Sequence, residues 1–224
     1  MKLYFHPVST TSRTIMLFAA EAGIPLEYQV VDLMKGEHMQ PAYLAINPNG
    51  LVPLLEDGDF RLSESSAILK YLADRVDSPA YPKDLKQRAR VNEAMDWVNS
   101  NFYKDFGYGI AYPQMFAHHR RPSDELQQGT LAWAQANTRR WLGVLDKSLL
   151  GADKPFLCGD KVTIADYFAA PILTLGDLLR ADYAEYPNIR RWLSNMRALP
   201  TWPKVNEAFY GYAQAVKDQP FLTP

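Results

Sequence analysis

The sequence predicts two successive folding units, the first mixed α/β and the second all-α, and three observations carry that prediction. Over residues 1–77, short apolar runs of strand length are interleaved with helix-spaced stretches. From residue 85 to the end no convincing strand occurs. Between them, residues 78–84 (SPAYPKD) carry prolines and no hydrophobic periodicity, the composition of a linker. The expected units are therefore residues 1–77 and 85–224.

Taken in order, residues 2–5 (KLYF) and 27–31 (EYQVV) are short apolar runs that read as strands. The segment SRTIMLFAAEAG between them repeats apolar residues at helical spacing and stops on Gly23, a helix-ending residue. Residues 52–56 read as a third strand, Asp57-Gly58 as a hairpin turn, residues 60–62 as a fourth strand, and Glu64 to about Arg75 as a helix. Five helical stretches follow: Leu85 to about His118, Ser123–Leu149, Thr163–Leu179, Asn188–Leu199 and Trp202–Val216.

Composition narrows the function. Lys and Arg total 24 against 25 Asp and Glu, so no bulk positive field exists to hold nucleic acid or an anionic membrane. The start MKLYFHP has no long apolar run behind a basic stretch, and no run of about 18 apolar residues occurs anywhere, which leads us to expect a soluble, cytoplasmic protein. Cys158 is the single cysteine, without a partner for a disulfide, a redox pair or a structural metal site.

The chemistry-bearing signals lie mostly in the first unit. Ser9, Thr10, Thr11 and Ser12 precede Arg13 at the start of the first helix, where hydroxyls are natural caps. Arg13 is out of keeping with the helix dipole, and we expect it to pair with an acid or a carbonyl and hold the loop. Val52-Pro53 heads a strand; trans is the ordinary state of such a bond, and a cis bond turns the preceding backbone outward, toward an extended peptide. Glu64 and Ser65 stand at a helix start, where free N–H groups attract a carboxylate. The aromatic-rich segment from Phe102 to Phe116 offers Phe102, Tyr103, Phe106, Tyr108, Tyr112, Met115 and Phe116 as walls of an apolar pocket, with Gly107 and Gly109 as a point of bending. His118 and His119, followed by Arg120 and Arg121, are adjacent and read as a solvated helix end, with no spacing suited to a metal. Thr163 and Asp166 form a Ser/Thr-x-x-acid capping pattern, a structural feature, and Trp192 and Trp202 are expected to pack the C-terminal helices.

Together these residues resemble a known family. KGEHMQPAYLAINPNGLVPLLEDGDFRLSESSAILKYLADR is similar to the second half of the thioredoxin-like domain of cytosolic glutathione transferases, HPVSTTSR resembles the serine loop of theta, delta and phi-type members, and KVTIADYFAAP resembles the capping segment of their helical domain. The resemblance implies a thioredoxin-like domain with a mixed four-stranded sheet, an all-α domain, and a homodimer. It implies that Ser9 donates to the glutathione sulfur with Thr10 as an alternative donor, while Thr10, Thr11 and Ser12 shape the loop and cap a helix running from Arg13. Val52, with Pro53, would pair with the cysteinyl unit, Glu64 and Ser65 would hold the γ-glutamyl end, and His38 would reach the glycine carboxylate. Many relatives carry Lys or Gln where this chain has Leu51, a contact that Asn49 or Lys35 would replace. The implied activity is conjugation of reduced glutathione to a hydrophobic electrophile without a metal. The alternatives are dehalogenation, ether cleavage or disulfide reduction on the same fold, or a non-catalytic module that binds glutathione or apolar ligands. Maleylacetoacetate-type isomerisation is disfavoured because its Ser-Ser-Cys loop is absent.

Overall fold

A computed structural model describes all 224 residues. Strand β1 (Lys2–Phe5) sends Leu3 and Phe5 into the core, the alternation its sequence predicts. It pairs in parallel with β2 (Glu27–Val30), an exposed edge strand, and antiparallel with β3 (Leu54–Asp57), which pairs antiparallel with β4 (Phe60–Leu62). The sheet order is β2-β1-β3-β4, the mixed four-stranded arrangement. Two differences from the sequence reading have a clear cause, beside shifts of one residue at the end of β2 and the start of the helix after β4. Strand β3 begins after Pro53, which has no N–H to give a ladder, and the Val52-Pro53 peptide is cis. The hairpin turn is Gly58-Asp59, because Asp57 already pairs with Phe60, and Gly58 supplies the positive φ of +65°.

Helix α1 (Thr10–Glu21) starts three residues earlier than the serine-loop reading places it. Ser9 is its cap: its backbone is extended and its Oγ accepts the Ser12 N–H at 3.2 Å. A 3₁₀ turn at Glu37–Met39 and the one-turn helix α2 (Pro41–Leu44) fill the connection from β2 to β3, and α3 (Ser65–Arg75) closes the first half.

Helix α4 (Leu85–Trp97), capped by Asp84, continues unbroken through π-helical turns at Val98–Tyr103 and Phe106–Ala111 into α5 (Tyr112–Met115). Gly107 and Gly109 do not break it. A Cβ on Gly107 would lie 2.4 Å from the Tyr103 ring, and one on Gly109 would lie 2.5 Å from Ala134 Cβ, so both glycines permit close packing. The break comes at Phe116, whose backbone is extended, and His118 and His119 follow on a separate 3₁₀ turn. Helix α6 (Asp124–Val144) extends as a π-helical turn to Leu150. Helix α7 (Ile164–Leu173) is buried along its whole length, covered by α1, α3 and α4 and by α8 (Leu175–Leu179) and α9 (Pro187–Arg197), while α10 (Trp202–Ala215) packs against α1, α8 and α9.

At the start of α7 the Thr163 N–H donates to Asp166 Oδ2 at 2.8 Å, as does the Thr163 hydroxyl at 2.9 Å. Asp166 Oδ1 accepts from the Leu157 N–H and from Trp192 Nε1, so the capping carboxylate also pins a loop and α9. Burial pushes its pKa up against these bonds.

Candidate active site

The start of α1, the loop before β3, the end of α4–α5 and the C-terminal helices enclose one cavity of about 360 Å³. The first half contributes Val8, Ser9, Thr10, Thr11, Leu33, Met34, His38, Gly50, Leu51 and Val52. The second contributes Tyr103, Tyr108, Tyr112, the run Met115–His119, and Leu175, Leu178, Phe209 and Tyr212. A smaller cavity of about 120 Å³ adjoins it, lined by Pro53, Glu64, Ser65, Asn47 and Asn49, and sharing Thr11, Leu51, Val52, Tyr103 and Tyr108 with the first. The combined wall is mostly apolar with a few convergent polar groups, the usual make-up of a small-molecule site.

Local bonding fixes the polar wall. Ser9 Oγ, while capping α1, also faces Thr11 Oγ1 at 3.3 Å, and Thr11 donates to the Val52 carbonyl at 3.2 Å. That bond ties the serine loop to the residue before the cis-proline. The Leu51 carbonyl accepts from Tyr43 OH and from Asn47 Nδ2, each at 2.7 Å, which holds the loop from the other side. Gly50, at φ +61°, sits under His38 and Met39, where a Cβ would lie 3.2 Å from the His38 carbonyl. His38 lines the main cavity with a buried Nδ1 that has no partner in the protein. Glu64 caps α3 at φ +66°, a conformation costing a non-glycine residue roughly 1–3 kcal/mol. Its carboxylate makes no cap bond, so the charge remains available beside Ser65.

Three sequence expectations need correction. Arg13 lines neither cavity: it is fully buried beneath them, donating to Asn206 Oδ1 at 2.6 Å, Thr174 Oγ1 at 3.0 Å and the Pro171 carbonyl at 3.3 Å, with its guanidinium 3.8 Å from the Phe209 ring centroid. It meets a carbonyl, but in the helical half, and burial brings its pKa down to about 10. Phe102 and Phe106 are fully buried against each other and Trp97, and belong to the core because their side of the helix faces inward. His119 is not simply solvated: it is half-buried against Tyr108 and Tyr112 at the cavity rim, while the exposed His118 stacks on Phe116 beside it. Asn49 lies in the smaller cavity, whereas Lys35 turns away to pair with Asp32 at 3.1 Å. The sequence reading missed Val8, Leu33, Met34, Ala117, Leu175, Leu178, Phe209 and Tyr212, apolar or aromatic residues that carried no local signal.

The main cavity has neither a carboxylate nor a Lys or Arg in its wall. Its ionisable groups are tyrosines and histidines. Burial pushes the Tyr112 phenol up to about 12 and raises Tyr103 and Tyr108 as well, so all three stay protonated near neutrality. Burial, then His118 and Arg121, lowers His119. Tyr103 OH and Tyr112 OH are 2.5 Å apart, and Tyr112 OH donates to Thr10 Oγ1 at 3.2 Å. Cys158 lies outside both cavities, and burial pushes its thiol up to about 11. The arrangement offers neutral hydroxyl donors to an anion formed inside an apolar pocket. It has no protein thiol of its own.

Known proteins share this architecture. Residues 1–74 match the family model described as glutathione S-transferase, N-terminal domain, and residues 112–200 match the one described as glutathione S-transferase, C-terminal domain. Human glutathione S-transferase theta-2 is 36% identical over 203 residues, covering 88% of this chain and 81% of the relative. A crystal structure of human theta-2 in complex with glutathione and an unknown ligand superposes with a TM-score of 0.83 at 31% identity, covering 100% of this chain and 93% of that one. A delta-class glutathione transferase of Nilaparvata lugens superposes with a TM-score of 0.78 at 33% identity, covering 96% and 98%.

Proposed function

The chain belongs to the glutathione S-transferase family, and on that premise we propose that it binds reduced glutathione across the two adjoining cavities, holds its sulfur as a thiolate through Ser9, and conjugates it to a hydrophobic electrophile. The observation that carries this reading is the Ser9 hydroxyl at the cap of α1, in the wall of a cavity free of carboxylates. A free thiol titrates near ~8.5, so only a few per cent is ionised at pH 7, and lowering it by two units takes about 2.7 kcal/mol. A hydroxyl donor beside the positive end of a helix, with no opposing negative charge, supplies stabilisation of that order.

The rest of the tripeptide follows the polar wall. The Val52 backbone pairs with the cysteinyl unit; its carbonyl already accepts from Thr11 and retains a second lone pair. The unpaired Glu64 carboxylate suits the α-amino group of the γ-glutamyl end, with Ser65 for its carboxylate. His38, whose Nδ1 lacks a partner, suits the glycine carboxylate. Leu51 brings no charge to that end. The electrophile lies against Tyr108, Tyr112, Met115 and Phe116. In a substitution the thiol loses its proton to solvent, the sulfur forms the new bond to carbon, and the leaving group departs with its electron pair. The reading includes a homodimer and a division into units 1–77 and 85–224.

The test is the 240 nm absorbance of bound glutathione titrated with pH, in wild type and Ser9→Ala, together with turnover of a chlorinated nitrobenzene. We expect the wild-type thiol to titrate at roughly 6–7 and the variant's to return toward ~8.5, with turnover falling in parallel. Glutathione that binds with the same thiol pKa in both proteins would leave Ser9 a helix cap and nothing more.

A further inference from the structure

We infer that Thr10 is a second hydroxyl donor to the glutathione sulfur, aimed by a buried relay in which Tyr103 donates to Tyr112 and Tyr112 donates to Thr10. The inference rests on the proposed transferase reading and adds a donor, and two positioning residues from the helical half, to it. Thr10 lines the main cavity next to Ser9 and is otherwise almost wholly buried. Its Oγ1 accepts from Tyr112 OH at 3.2 Å, and Tyr112 OH lies 2.5 Å from Tyr103 OH. Because Tyr112 has spent its one proton on Thr10, the short contact with Tyr103 has Tyr103 as its donor. The chain of donation therefore has one direction, and it ends on the Thr10 proton, which meets no acceptor in the protein.

The two hydroxyls are not equivalent. Ser9 Oγ is engaged by the Ser12 N–H and faces Thr11, so its proton has a competing acceptor at 3.3 Å. The Thr10 proton has none. A β-branched side chain in the first helical turn has few χ1 options, and accepting a bond from a phenol polarises the hydroxyl that donates onward. A buried hydroxyl proton without a partner is costly. An anion in the cavity satisfies it. The groups facing the relay are Tyr108 and His119 at the cavity end and Arg13 below; none carries a negative charge near neutrality, and the buried phenols remain donors over the working pH range.

The same 240 nm titration separates this proposal from the reading it rests on. Tyr112→Phe keeps the ring packing and deletes only the hydroxyl. We expect the thiol pKa to rise by about half a unit to one unit, a three- to tenfold loss of thiolate at fixed pH below the pKa, with glutathione affinity at low pH unchanged within about twofold. Thr10→Val should raise the pKa at least as far, Thr10→Ser should restore it, and Tyr103→Phe should raise it less than Tyr112→Phe. Circular dichroism and the unfolding midpoint report whether each variant is folded. If Ser9→Ala raises the thiol pKa while folded Tyr112→Phe and Thr10→Val leave it at the wild-type value, the relay is overturned and the transferase reading stands. If the wild-type thiol keeps its free-solution pKa, both fall together.

Discussion

Ser9 carries two tasks that its neighbours divide differently: it caps α1 and it faces the cavity. Replacing it with Ala therefore costs about 1 kcal/mol of cap as well as the donor, which is why the thiol pKa is a cleaner readout than turnover. Arg13, four positions on, has no such dual role. Its cation is buried without a carboxylate partner: its two terminal nitrogens donate to neutral groups of α7–α8 and α10 and its face lies on the Phe209 ring, while its Nε has no partner. Arg13→Ala removes those bonds and leaves a void beside Asn206, so we expect a loss of about 3 kcal/mol or more. Arg13→Met, which refills the volume without a charge, should lose less. Urea unfolding followed by tryptophan fluorescence ranks the two, and equal midpoints for Arg13→Ala and wild type would remove Arg13 from its place as the joint between halves. The serine loop and the Val-Pro strand were legible in the sequence because their residues lie within a few positions of one another. Arg13 was not: its misfit with the helix dipole was visible, but its partners Asn206 and Thr174 lie 193 and 161 residues away.

At the scale of elements, the segment from α4 to α5 shows why an aromatic-rich helix is hard to assign from spacing. A helical period of 3.6 would sort its aromatics onto fixed faces, but two π-helical turns, with their i→i+5 closure, shift the phase. Tyr103 and Tyr108, five positions apart, become neighbours with centroids at 5.3 Å, and Tyr112 joins them, whereas Phe102 and Phe106 turn into the core. Cavity-facing tyrosines and core phenylalanines thus alternate along one continuous helix, and only their hydroxyls hint at which is which. Gly109 is what lets this segment lie against α6. A methyl group there collides with Ala134 Cβ at 2.5 Å, so Gly109→Ala should force the helices apart and cost about 1–3 kcal/mol despite Ala's better helix propensity. A thermal midpoint at or above that of wild type would show that propensity, not packing, governs the position.

For the whole molecule, the sequence's two compositional halves and its continuous core make different demands. The change of pattern at residues 78–84 was plain in the sequence, yet a single apolar cluster runs from Leu3 and Leu55 of the sheet through Phe18 of α1 to Phe168 of α7 and Phe209 of α10. Phe18 lies edge-on to Tyr167 at 5.4 Å, and Arg13 bonds across the same boundary. No local pattern foretells that continuity, since each helix reveals only that it has an apolar face and not which partner covers it. The main cavity is walled by both halves, so its geometry depends on the same contacts. Losing the first half would expose much of α7, a helix whose every residue is buried, and the free energy of that exposure couples the two. We therefore expect one cooperative transition. All five tryptophans lie between residues 97 and 202 and report the helical half, while the amides of Leu3 and Phe5 report the sheet. Tryptophan fluorescence and hydrogen-exchange protection of those amides should be lost at the same urea concentration. Sheet amides that exchange while the tryptophans remain native would mean that the first half opens alone, and that Ser9 and Thr10 are set in place only when it docks.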